Sequence, residues 1–135
     1  MVQREVADRL AARPGGSEYG LLSATAQLYA RVEKLFTLPP DAFSPPPKVQ
    51  SSVVRLTIAS RMENLRVPEQ DFVNFLKQSF GQKRKTLWNN LKSQYQAKQL
   101  REALEKAGVK PTVRAEALSL EETAALFRAL SAIAP

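Results

Sequence analysis

The chain has 135 residues, 44% of them hydrophobic, and carries 20 lysines and arginines against 13 acids, a net charge of +7. This length allows one domain, or a small domain with a piece of another, and no apolar run is long enough to predict a transmembrane helix. With no cysteine and no histidine, the chain can build no disulfide, no thiol nucleophile, no Ser-His-Asp or Cys-His mechanism and none of the usual zinc sites.

Met1 to Ala12 reads as the end of a strand or the start of a helix, with Val2, Val6 and Leu10 recurring every four residues. Its opening, MVQREVADRL, has no apolar core of signal-peptide type, so a cytoplasmic location is expected. Arg13-Pro14-Gly15-Gly16-Ser17 breaks the pattern as a loop. Leu21 to Tyr29 predicts a short helix through Leu21, Ala24, Thr25 and Leu28. Arg31 to Leu38 predicts a strand with Val32, Phe36 and Leu38 on one side, and Lys34 intrudes on that side.

Five of the nine prolines fall in Pro39 to Val49. Proline fixes φ and removes a backbone donor, so this segment can be neither helix interior nor central strand. It predicts a stiff extended loop that holds Phe43 and Lys48 in place; a polyproline spacer is the plainer reading. Ser52 to Ile58 follows as a strand, with Val54, Leu56 and Ile58 facing one way and Val53, Arg55 and Thr57 the other. The two strands can pair as an antiparallel unit at a sheet edge.

Ala59 to Val67 lacks periodicity and reads as a linker. Pro68 then opens an all-helical region. Glu69 to Phe80 carries Phe72, Phe75, Leu76 and Phe80 on one face, with acids in its first turn, and Gly81 marks a break. A second helix is expected over about 84–92, with Leu87, Trp88 and Leu91 inward and Lys85, Asn89 and Lys92 on another face. A third covers Ala97 to Ala107, with Gly108 as its stop. Val109 to Leu118 is a connector broken by Pro111. The last helix opens on the capping box Ser119-Leu120-Glu121-Glu122 and turns Leu120, Thr123, Ala124, Phe127 and Leu130 inward.

One window stands apart. From Lys77 to Arg101 there are seven cations and no acid, while the remaining cations and acids balance at thirteen each. The whole net charge therefore sits in this window. A charge run is often only a solvated helix face. The absence of any carboxylate over this length favours a polyanion, since phosphates need Lys and Arg and are repelled by acids. Trp88 and the phenylalanines are taken as core groups, their commoner role.

The segments QREVADRL, YGLLSATAQLY, FSPPPKVQSSVVRL, FGQKRKTLWNNL and RAEALSLEE occur in that order. Together they resemble the rRNA adenine N6,N6-dimethyltransferase family. The likeness is strongest to its bacterial branch, which dimethylates two adjacent adenosines near the 3′ end of 16S rRNA and whose loss gives kasugamycin resistance. The resemblance covers essentially the whole chain, and Phe-x-Pro-Pro-Pro-Lys-Val followed by Ser-Val-Val-Arg-Leu is its most specific part.

The resemblance implies an α/β remnant followed by a small all-α domain. Residues 1–60 would be the last strands and helices of a Rossmann-like methyltransferase sheet, 61–67 a linker and 68–135 a helical rRNA-binding domain. It also implies that Phe43 packs on a flipped-out adenine, with Pro45 and Lys48 beside it in the pocket; an extruded base needs a π-face to replace its lost stacking. Lys83, Arg84 and Lys85 would grip the small ribosomal subunit, with Lys77 and Lys92 of the same window. S-adenosylmethionine would be the methyl donor of the full-length family.

This chain departs from the family pattern in two places. It has no glycine-rich cofactor loop and no Asn-Leu-Pro-Tyr motif. Adenine N6 is a poor nucleophile, and those two motifs would hold the amine and the donor in line. The chain is therefore expected to be the C-terminal half of such an enzyme. By this reading it binds no cofactor, holds no catalytic residue, transfers no methyl group alone, and self-associates through an exposed sheet remnant. A free-standing RNA- or ribosome-binding module, and a helical interaction domain with a merely soluble basic face, are the alternatives.

Overall fold

The structure, a computed structural model, describes residues 1–42, 44–45, 48–82 and 84–133. The opening segment is both things its sequence allowed. Strand β1 (Val2–Gln3) runs directly into helix α1 (Arg4–Leu10). Of the apolar groups of α1, Ala7 is the one fully buried, and Val6 and Leu10 are half-buried. Helix α2 (Leu21–Tyr29) matches its expected span, with Ala24 and Leu28 buried.

Strands β2 (Ala30–Leu38) and β3 (Ser51–Ile58) pair antiparallel, and β3 also pairs antiparallel with β1, giving the order β1-β3-β2. Central β3 displays the expected alternation: Val54 and Leu56 lie opposite Lys34 and Val32, and Arg55 lies opposite Glu33. A register shift between Lys34 and Phe36 inserts Leu35 as an extra residue, so Phe36 meets Val53. The single-sided stripe Val32, Phe36, Leu38 therefore does not form, because a bulge moves the residues beyond it to the opposite face. Lys34 is no intruder: its Nζ reaches Asp8 Oδ1 of α1 at 2.7 Å. The proline segment is not wholly extended either, since Pro40–Ala42 make one 3-10 turn.

The stretch expected to be a shapeless linker contains helix α3 (Met62–Leu65), and both Leu65 and Val67 are buried. Arg66 ends α3 in the left-handed region, at φ 57°. Helix α4 (Glu69–Ser79) buries Phe72, Phe75 and Leu76. Helix α5 is shorter than expected, Leu87–Leu91. Arg84 and Lys85 do not join it, because Thr86 takes the N-cap position in extended backbone and its hydroxyl accepts from Asn89 N at 3.3 Å. Lys85 consequently sits on the preceding turn rather than on a helical face with Asn89.

Helix α6 (Ala97–Ala107) ends at Gly108, φ 70°. Gly108 N donates to Glu105 O and Val109 N to Leu104 O, the paired bonds of a Schellman ending. A 3-10 turn at Ala115–Ala117 precedes helix α7 (Leu120–Ile133). The capping box is present in both directions, each bond 3.1 Å, between Ser119 and Glu122. The expected inward face of α7 is buried, and Leu126 joins it.

The core lies among α4 to α7, where Phe75 and Phe72 each pack edge-on against Phe127, at 5.3 and 5.6 Å between centroids. Tyr19, Ala24 and Leu28 extend the same cluster from the first half of the chain. Tyr29 donates to Glu69 at 2.9 Å, Arg61 pairs with Glu121, and Arg128 bonds the Leu65 carbonyl, so the two halves are tied by polar contacts as well. The sheet contributes little to this core. Phe36, Leu56 and Ile58 are exposed by 53%, 52% and 83%, with Leu56 and Ile58 on one face of the sheet and Phe36, opposite Val53, on the other.

Candidate RNA interface

The cation window is organised around the junction of α4 and α5. Lys77 lies in the last turn of α4, Arg84 and Lys85 on the connecting turn, and Lys92 just after α5. Two side chains shape that turn. Asn90 Oδ1 accepts from Gln82 N at 3.1 Å, while its Nδ2 donates to Gln82 O at 3.2 Å and to Ser79 O at 2.9 Å. Thr86 caps α5, and Leu87 N donates to Val113 O at 2.7 Å. Gly81 sits in a tight place: a Cβ there would lie 3.1 Å from the Gln78 carbonyl oxygen, which would have to give by a few tenths of an ångström.

All four of Lys77, Arg84, Lys85 and Lys92 are exposed. Among the described residues none of them, nor Lys98 or Arg101, forms a salt bridge. The first half of the chain behaves differently. Arg4, Arg9, Arg31, Lys34, Arg55 and Arg61 are all paired with acids. The Arg55 hydrogen bond and charge hold the Glu33 carboxyl below the usual range. Cations that neutralise carboxylates are not available to phosphates, whereas an unpaired set can displace counterions from a nucleic acid.

Beside the turn lies a shallow cleft of about 390 Å³, lined by Thr86, Trp88, Asn89, Arg101, Pro111 and Thr112. Trp88 is half-buried and packs against the core cluster. Its ring also meets the Arg101 guanidinium, 5.9 Å from centroid to Cζ, near the outer limit for a cation–π contact. The indole is thus partly a core group, as expected, and partly a wall of the cleft.

Lys83 and Phe43 lie outside the described residues. Pro45 and Lys48 are exposed. The end of their segment is fixed to the first helix: Arg4 N donates to Gln50 O at 2.9 Å, and the Arg4 guanidinium to Gln50 Oε1 at 2.6 Å. Sequence reading did not single out Asn90 or Thr86. A Thr and an Asn flanking a Leu-Trp pair shortly after Gly81 were the available signal, since both side chains cap and staple turns more readily than they extend helices.

Residues 1–132 match the family model described as Ribosomal RNA adenine dimethylase. Among similar curated proteins, Ribosomal RNA small subunit methyltransferase A of Koribacter versatilis (strain Ellin345) is 57% identical over 130 residues. Its counterpart in Acidobacterium capsulatum is 60% identical over 131 residues. Each alignment covers 96% of this chain and 46% of the relative, so the chain spans about half the length of the curated relatives it matches. Two solved structures share the fold: a dimethyladenosine transferase from Plasmodium falciparum and the 23S rRNA methyltransferase ErmE. The first has a TM-score of 0.78 at 24% identity, covering 97% of this chain and 55% of that one. The second has a TM-score of 0.66 at 20% identity, covering 96% and 52%. The motifs stand in the family's order, a three-stranded remnant sits beside a helical unit, and the match runs over nearly the whole chain: this chain belongs to the ribosomal RNA adenine dimethylase family.

Proposed function

We propose that this chain is the rRNA-docking portion of an S-adenosylmethionine-dependent 16S rRNA adenine N6,N6-dimethyltransferase. The observation that carries the reading is the contrast in pairing. Six cations of the first half, Arg4, Arg9, Arg31, Lys34, Arg55 and Arg61, are engaged by carboxylates, while Lys77, Arg84, Lys85 and Lys92 stand exposed around the α4–α5 junction with no salt bridge among the described residues. Residues 68–135 form the docking unit and residues 1–60 belong to a larger methyltransferase sheet, with 61–67 as their joint. Phe43, Pro45 and Lys48 supply one wall of the target-adenine pocket, and Lys83 acts with Arg84 and Lys85.

The residues here do not fit the methyl donor. Nucleotide-type cofactors sit at a glycine-rich turn between strand and helix, but β1 passes into α1 with Gln3 and Arg4 adjacent and no glycine. The chain supplies the grip on RNA and part of the base pocket, and the donor site lies in residues it lacks. It works in the cytoplasm, where small subunits are assembled. Its exposed Leu56 and Ile58, on one face of the sheet, also drive self-association unless another segment covers them.

Two measurements test this. Binding to unmethylated small-subunit particles in dilute buffer is expected, and its absence removes the reading. Labelled methyl donor with the same particles should give no turnover by this chain; incorporation above background would show that the donor site is here after all.

A further inference from the structure

The cleft beside the cation turn has a lining that phosphate binding does not require. A phosphate site needs donors and positive charge. This one offers an indole wall from Trp88, a planar guanidinium from Arg101, and polar groups from Asn89 and Thr112. Among the described residues, the Asn89 carboxamide and the Thr112 hydroxyl make no hydrogen bond within the chain. Arg101 is exposed and unpaired there, held only by its loose contact with the Trp88 ring. Its side chain can swing outward.

We propose that the Trp88–Arg101 cleft takes one unpaired RNA base, stacked on the indole with its edge toward Asn89 and Thr112. The inference rests on the RNA-docking reading and deepens it, because it adds a base to a grip otherwise made only on phosphates. The chemistry favours this occupant. A nucleobase has a π-face for Trp88, and its edge presents donors and acceptors that a carboxamide and a hydroxyl complement. A duplex keeps its faces stacked and hidden, so the occupant is single-stranded. The neighbouring cations hold the flanking phosphates, and Arg101 moves from the ring to the entering base or its phosphate.

Trp88 is the chain's single tryptophan, so its intrinsic fluorescence reports this cleft alone. The whole chain is titrated with a labelled oligouridylate and, separately, with an abasic oligomer carrying the same number of phosphates. Anisotropy of the label follows binding, and tryptophan emission follows stacking. Both oligomers should bind with similar salt dependence. The base-bearing one should bind about tenfold tighter and quench Trp88, and the abasic one should leave the emission unchanged. Trp88→Phe should retain most of the preference and Trp88→Leu should lose it, with circular dichroism confirming that each is folded. Equal affinities with no quenching overturn the base site and leave RNA docking standing. Failure of both oligomers to bind at low salt overturns docking, and the base site with it.

Discussion

Asn90 grips Gln82 by both polar atoms of its peptide frame, accepting from the amide and donating to the carbonyl, while its second donor bond reaches Ser79 at the end of α4. One carboxamide thus closes the turn that carries Arg84 and Lys85. Replacing Asn90 by Ala strips the partly buried Ser79 carbonyl of this donor, while the exposed Gln82 N turns to water and Gln82 O keeps its bond from Lys85 N. The expected cost is about 1–3 kcal/mol in chemical denaturation. RNA affinity should fall with it, while the salt slope stays near the parent value because every cation remains. A slope that drops as steeply as in a lysine variant would show that Asn90 does more than shape the turn.

Arg84→Ala and Lys85→Ala should each weaken RNA binding. Each should also flatten the plot of log affinity against log salt, by roughly 0.7 to 0.9 for every phosphate the variant no longer neutralises. Arg55→Ala is the control: its partner is Glu33 at 2.8 Å, so its removal should leave the slope alone. If all three variants keep the parent slope, the basic face serves solubility.

Gly108 stands in the left-handed region, where a Cβ crowds the following carbonyl. Nothing lies within 4 Å of the place a Cβ would occupy, so the cost of Gly108→Ala is conformational, on the order of 1 kcal/mol. Arg66 occupies the same kind of position at the end of α3, and Arg66→Gly should be neutral or slightly stabilising. Thermal melts of the two variants should therefore move in different directions or differ clearly in size.

Phe72 is fully buried and meets Phe127 edge-on. Phe72→Ala should destabilise by about 3–5 kcal/mol. Helix α4 carries Phe72 and also leads into the cation turn. Urea titration should show the unfolding midpoint shifted far down; a shift comparable to that of a surface substitution would place the core elsewhere.

The β2–β3 surface should report on the proposed self-association. Light scattering at rising concentration is expected to show a mass above that of the monomer, and Leu56→Lys with Ile58→Lys should bring it back. A parent chain that stays monomeric throughout would mean that the exposed side chains carry no such interface.

Much of the helical unit was legible because its signals are local. Spacing of Phe72, Phe75 and Leu76, the Ser119–Glu122 box and the glycine after Ala107 each act over a few residues of contiguous chain, and the structure shows all three. The family, too, could be recognised from motifs in order. What only the tertiary structure decided depends on partners distant in sequence. Lys34 looked misplaced until Asp8 was brought beside it. The stretch before Pro68 looked slack until Leu65 and Val67 found the core. The second helix looked longer until Thr86 capped it and Asn90 bound the turn ahead of it. Composition determined how many cations there are. Folding decided which of them meet a carboxylate and which stay free, because pairing depends on distance in space.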